Sequence, residues 1–194
     1  MTRLTRLSLA IAGVVFLGTT FGANADESKW SASLYAGPST NYIFTEVVAG
    51  RFHWADTMVG VAVDRNLVYL GWGWSLKGEA QITQHLLGHT YNTAALGLGV
   101  EFDQFPWSES LPTSFALYTG PSYTTNPPQQ YPRAEWGSKK SLLNYVSAEL
   151  AFAVPNAPGW DFEVRTFHRS GAWGIYTLDP DESTMIGIGI RRRF

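Results

Sequence analysis

Strict alternation at the end of the chain leaves few folds open. Residues 160–170 read W-D-F-E-V-R-T-F-H-R-S and residues 183–194 read S-T-M-I-G-I-G-I-R-R-R-F, with a loop between them. Successive side chains of a strand point to opposite faces. Phe162, Val164, Thr166, His168 and Ser170 therefore share one face, opposite Asp161, Glu163, Arg165, Phe167 and Arg169. In the second strand Thr184, Ile186, Ile188, Ile190 and Phe194 oppose Ser183, Met185, Gly187, Gly189, Arg191 and Arg193. A soluble sheet would turn the apolar face onto a core. Charge on one strand and bare glycine on its neighbour instead suit a narrow polar interior, with the apolar side against lipid.

The same period of two recurs upstream, with no convincing amphipathic helix. Strands are expected at about 29–36, 56–63, 67–82, 93–102, 114–123 and 142–154, before the closing hairpin. In the third, Leu70, Trp72, Trp74 and Leu76 face one way and Gly71, Gly73, Ser75, Lys77, Glu79 and Gln81 the other. Gly37-Pro38-Ser39-Thr40-Asn41 reads as a breaker and Asp64-Arg65-Asn66 as a tight turn. Residues 42–54 are ambiguous, readable as strand extensions beyond the membrane. Residues 103–112 hold Phe105-Pro106-Trp107, suited to a membrane interface, and 124–140 form a long polar loop. The expected fold is all-β: an eight-stranded antiparallel transmembrane barrel of the outer-membrane type. Short connections at 64–66, 103–112 and 155–159 fall on the periplasmic side with Phe194. The rival is a soluble, lipocalin-like cup, whose apolar faces would turn inward.

The beginning of the chain agrees. Arg3 and Arg6, an apolar run from Leu7 to Leu17, and Ala23-Asn24-Ala25 read as a signal peptide over 1–25, leaving the barrel over 26–194. Charged residues make up 15 % of the sequence, below the roughly 25 % of soluble domains. The 19 glycines, 8 tryptophans and 9 tyrosines suit lumens and aromatic girdles instead. With no cysteine, disulfides and thiol chemistry are excluded. A net charge of −2 gives no reason to expect nucleic acid.

Three polar residues interrupt the lipid side near the outer rim: His168, Ser170 and Glu182. Two residues apart on one face, His168 and Ser170 have Cα atoms about 6.5–7 Å apart. A hairpin centred near Ile175 would set Glu182 directly across from His168. Ser170 could then attack, His168 take its proton and Glu182 hold the imidazole. A site on that face near the outer rim demands a substrate embedded in the outer leaflet, presenting an ester at the glycolipid boundary. Asp179 and Asp181 lie in the same loop, and a register slip would change which acid faces the histidine.

His168-Arg169-Ser170, followed by Glu182 fourteen residues after the histidine, resembles the H-x-S…E triad of the lipid A 3-O-deacylases. The resemblance implies hydrolysis of the 3-O-linked hydroxyacyl chain of lipid A through an acyl-serine, with no metal or other cofactor. It departs from the family after the serine, where Gly171 stands in place of the usual asparagine. Backbone N–H groups of Gly171, Ala172 or Gly174 would then hold the oxyanion. Expected partners are lipopolysaccharide, the other outer-membrane lipids and the barrel assembly machinery, which reads a terminal aromatic such as Phe194. A homodimer is an open arrangement. The alternative function is a non-catalytic small barrel with a structural or surface-binding role.

Other polar residues have plainer readings. His85 and His89 look like outer-loop residues without acidic neighbours. Lys77, Glu79, Glu101, Glu149, Glu163 and Arg165 form an inward charge network. Arg191-Arg192-Arg193 ends at the periplasmic boundary, facing phosphates. Trp72, Trp74 and Trp173 are lipid or interface aromatics. N-terminal sequencing of protein taken from the outer-membrane fraction should begin at Asp26; a retained Met1 would refute the signal peptide.

Overall fold

Eight strands follow from the alternation. They are β1 (Trp30–Thr40), β2 (Asp56–Gly71), β3 (Trp74–His85), β4 (Asn92–Phe102), β5 (Thr113–Thr124), β6 (Leu142–Ala153), β7 (Trp160–Ser170) and β8 (Ser183–Arg193). Each pairs antiparallel with the next, and β1 pairs with β8 to close the barrel. The structure, a computed structural model, describes residues 29–40, 46–47, 49–51, 56–86, 91–125, 140–177 and 183–194. The signal peptide, residues 42–45, 48 and 52–54 of the ambiguous segment, His89, residues 126–139 of the long polar loop, Asp179, Asp181 and Glu182 lie outside the described residues.

Apolar side chains cover the outside. Leu34, Val61, Ile82, Leu96, Leu98, Leu117, Phe162, Ile188 and Ile190 are all exposed, while the residues alternating with them are mostly buried and are polar or small. A soluble cup is thereby overturned, since its apolar faces would line the interior.

Polar groups fill the lumen because they satisfy one another. Arg165 is 0 % exposed. Its guanidinium lies 2.5 Å from Glu79 and 3.6 Å from Glu163, and it also donates to Glu149. The Tyr35 ring packs 5.0 Å from it, and the Tyr35 hydroxyl donates to Gln81 at 2.5 Å. Toward the end that carries both termini, Lys77 pairs with Asp64 and, at 3.0 Å, with Glu101. Arg191 joins Glu149 at 2.5 Å and Asp161 at 2.8 Å. All six charges expected to face inward do so. Glycine makes room for the inward tyrosines: a Cβ on Gly97 would lie 2.1 Å from the Tyr145 hydroxyl, and one on Gly60 would lie 2.4 Å from the Tyr35 ring.

Three expectations need correction. Asp64-Arg65-Asn66 is not a turn, since β2 runs on through it and the chain reverses at Trp72-Gly73, where both φ angles are positive (51° and 75°). Two-residue hairpins of this twist require positive φ at both positions, which glycine supplies without strain. Asp64 is consequently inside the barrel beside Lys77, Trp72 sits in the turn at 89 % exposure, and Gly71 and Gly73 serve the turn, not the lumen. The supposed breaker also fails to break. β1 continues through Gly37-Pro38 to Thr40, and the β1–β8 register has no pair at Gly37 or Pro38. A residue without an N–H is tolerated where the ladder asks nothing of it. Finally, Arg191 turns into the lumen and only its neighbours stay at the rim. There Arg192 lies 5.5 Å from the Trp160 ring and Arg193 reaches Asp161 at 3.1 Å.

The rim with both termini also carries the connections 72–73, 103–112 and 154–159, where Trp74, Phe102, Phe105 and Trp107 form a chain of ring contacts. The other rim carries the remaining four connections. Arg165→Ala leaves buried carboxylates unpaired, so it should lower unfolding stability by about 3–5 kcal/mol, read as a shifted urea midpoint in detergent micelles.

Candidate active site

β7 delivers His168 and Ser170 to the rim opposite the termini. Both are half-buried and share the outward parity of Phe162 and Val164, while Phe167 and Arg169 between them are buried inside. The outward orientation expected of the pair therefore holds. On β8 the residue directly across from His168 is Thr184, not Glu182. The hairpin is centred one residue later than expected, which moves the position across from His168 two residues along β8. Its pairing ends at Arg169↔Ser183. Glu182 keeps the outward parity in sequence but lies beyond the described residues.

Thr184 stands where the sequence reading had set Glu182. Its hydroxyl lies 2.9 Å from Nδ1 of His168, and the residue is 0 % exposed although its parity faces outward. In the tautomer whose Nδ1–H donates to the Thr184 hydroxyl, Nε2 is the basic nitrogen suited to take a proton from a hydroxyl. Among the described residues no hydrogen bond joins His168 to Ser170. Catalytic contacts of this kind often tighten only when substrate is bound.

Across from Ser170 on β6 stands Asn144. Its amide nitrogen donates to the Thr119 hydroxyl at 3.2 Å, and that hydroxyl donates to the Tyr145 carbonyl at 3.1 Å. Sequence reasoning missed both Thr184 and Asn144. Their facing parity was readable, but their partners depend on strand register.

After Ser170 the backbone folds back on itself. The Gly171 carbonyl accepts from the N–H groups of Gly174 (3.2 Å) and Tyr176 (3.0 Å), with Ala172, Trp173 and Gly174 all at positive φ. The Gly174 N–H is thus engaged within the turn, which leaves Gly171 and Ala172 as the backbone oxyanion candidates. Trp173 and Ile175 project from this turn, fully and largely exposed, as interface residues would. Down the apolar flank from His168, a groove of about 390 Å³ opens among Leu34, Ala36, Val59, Phe162, Ile188 and Ile190.

His85 differs from its sequence reading. It ends β3, faces the lumen, lies 2.6 Å from Asp56 through Nδ1 and stacks on Tyr91 at 3.8 Å. The acidic partner is distant in sequence and arrives through the β2–β3 pairing. No group of three potential metal ligands occurs among the described residues.

The architecture defines a class: eight-stranded transmembrane barrels of the outer-membrane type. Among solved structures, the outer-membrane enzyme PagL is similar at TM-score 0.59 and 12 % identity, covering 84 % of this chain and 99 % of that one. Neisserial surface protein A matches at TM-score 0.53 and 8 % identity, over 85 % and 96 % of the two chains. A de novo designed transmembrane β-barrel matches at TM-score 0.53 and 11 % identity, over 86 % and 96 %. At such identities the likeness is one of fold, and PagL is one neighbour among several. No family model matches the sequence, and no curated protein does.

The turn gives its own test. A Cβ on Gly171 would lie 2.2 Å from the Thr177 carbonyl oxygen, closer than atoms pack. Gly171→Ala should displace the turn at a cost of about 1–3 kcal/mol. Faster proteolytic nicking after Ser170 on intact cells is the expected readout.

Proposed function

We propose that the chain is a bacterial outer-membrane serine esterase that removes the 3-O-linked hydroxyacyl chain from lipid A. One observation carries the proposal: a histidine and a serine two residues apart on the lipid-facing side of β7, at the rim opposite the termini. An ester at the boundary of sugar and acyl chain would meet them there. The H-x-S…E resemblance and the presence of an outer-membrane enzyme among the barrels of similar fold lend support.

In the proposed reaction Ser170 attacks the ester carbonyl while His168 takes the hydroxyl proton. The tetrahedral intermediate collapses, and His168 returns the proton to the departing sugar oxygen. Water, activated by the same histidine, then hydrolyses the acyl-serine and frees a hydroxy fatty acid. Glu182, two residues before Thr184 in the sequence, is assigned the role of orienting the imidazolium; Asp179 and Asp181 are the competing acids. The apolar groove along Phe162, Ile188 and Ala36 would seat the acyl chain. In this scheme residues 1–25 direct export, assembly machinery reads Phe194, and lipopolysaccharide and membrane lipids are the partners, with a homodimer left open.

A second reading is a non-catalytic barrel. The missing hydrogen bond between His168 and Ser170 favours it, with Thr184 engaging Nδ1 instead. Mass spectra of lipid A from a lipopolysaccharide-bearing host expressing the chain separate the two. The esterase should strip one hydroxyacyl mass, and Ser170→Ala or His168→Ala should slow this about 10³-fold or more. Glu182→Gln should cost far more than Thr184→Val if the acid completes the triad. Unaltered lipid A with the wild-type chain would leave the silent barrel standing.

A further inference from the structure

An amide on a lipid-facing strand needs an explanation. Asn144 shares its outward parity with Val146 and the exposed Leu142, yet it projects a group that hydrocarbon cannot solvate. Thr119 meets one of its N–H bonds. The amide carries two, and the second has no acceptor among the described residues.

What lies beside it is Ser170. The two residues are direct cross-strand partners, and paired side chains on one face have Cβ atoms about 4.5–5.5 Å apart. That spacing leaves room for one small polar atom between hydroxyl and amide. We infer that the side-chain amide of Asn144 is the oxyanion donor for the ester carbonyl attacked by Ser170, with Thr119 holding the amide in place. The inference rests on the esterase proposal and deepens it.

The electron balance is simple. As the Ser170 oxygen bonds to the carbonyl carbon, its proton passes to His168 and the carbonyl π pair moves onto oxygen. That oxyanion accepts the second Asn144 N–H, with the Gly171 backbone N–H as a second donor. The pair returns when the bond to the sugar oxygen breaks, and His168 protonates the leaving alkoxide. Fixed donors aimed at developing charge act strongly where water is excluded. The asparagine that the sequence lacks after its serine is thus supplied from the neighbouring strand.

The test uses the full chain in detergent micelles with purified lipid A, comparing Asn144→Ala, Asn144→Asp and Ser170→Ala. Heat-modifiable electrophoretic mobility reports whether each barrel is folded. Losing one oxyanion donor should lower kcat about 10²–10³-fold, with KM within a few-fold. Asn144→Asp keeps the shape and removes the donor, so a packing role would spare it while a donor role would not; it also carries the test should Asn144→Ala misfold. Folded Asn144→Asp within threefold of wild type, with Ser170→Ala dead, overturns the donor assignment and leaves the esterase intact. A wild-type chain that leaves lipid A whole overturns both.

Discussion

A guanidinium with no route to water holds this barrel in register. Arg165 is enclosed by carboxylates from β3, β6 and its own strand, and stripping one such partner leaves a buried charge uncompensated. A one-residue slip of β7 would carry Arg165 to the lipid side and Val164 or Thr166 into the lumen. No such slip is tolerable, so inward parity on β7 is fixed by electrostatics. Tyr35, Gln81 and Tyr145 extend the constraint by hydrogen bonds to one another or to Glu79.

Outward parity follows without further cause. Once Arg165 and Arg169 point in, His168 and Ser170 must point out, three and five residues beyond the buried arginine. The same logic reaches β8, where Arg191 is drawn inside by Glu149 and Asp161 and Thr184 therefore stands outward against His168. The lumen contributes no group to the proposed chemistry, yet it decides which face carries His168 and Ser170.

Alternation made the barrel legible in the sequence, because period two states facing directly. The inward charges and outward aliphatics of β4, β6, β7 and β8 needed nothing more. Reversal points were harder. Asp64-Arg65-Asn66 has turn-forming composition, but Gly71-Trp72-Gly73 provides the positive φ that a two-residue hairpin demands, and its alternating tryptophans disguised it as strand. Pairing was hardest of all. Asp56 against His85 and Thr184 against His168 are long-range facts of register, and a hairpin centre misplaced by one residue exchanged a glutamate for a threonine. The proposed triad's third member thus depends on the loop after Ser170, where sequence alternation no longer constrains placement.

The candidate site also explains an irregularity in the sheet. Between the pairs Val146↔His168 and Glu149↔Arg165 the β6–β7 ladder has no paired residues. Side chains take over there: Thr166 accepts the Ala148 N–H at 3.0 Å, and Ser147 donates to the Thr166 carbonyl at 2.7 Å. Hydroxyls that bridge backbone groups keep β6 and β7 joined just inward of His168, with the register unchanged on either side. Ser170 and Asn144 lie on the rim side of that stretch, still paired across the strands. Groups on three adjacent strands are therefore held to one face by rigid elements.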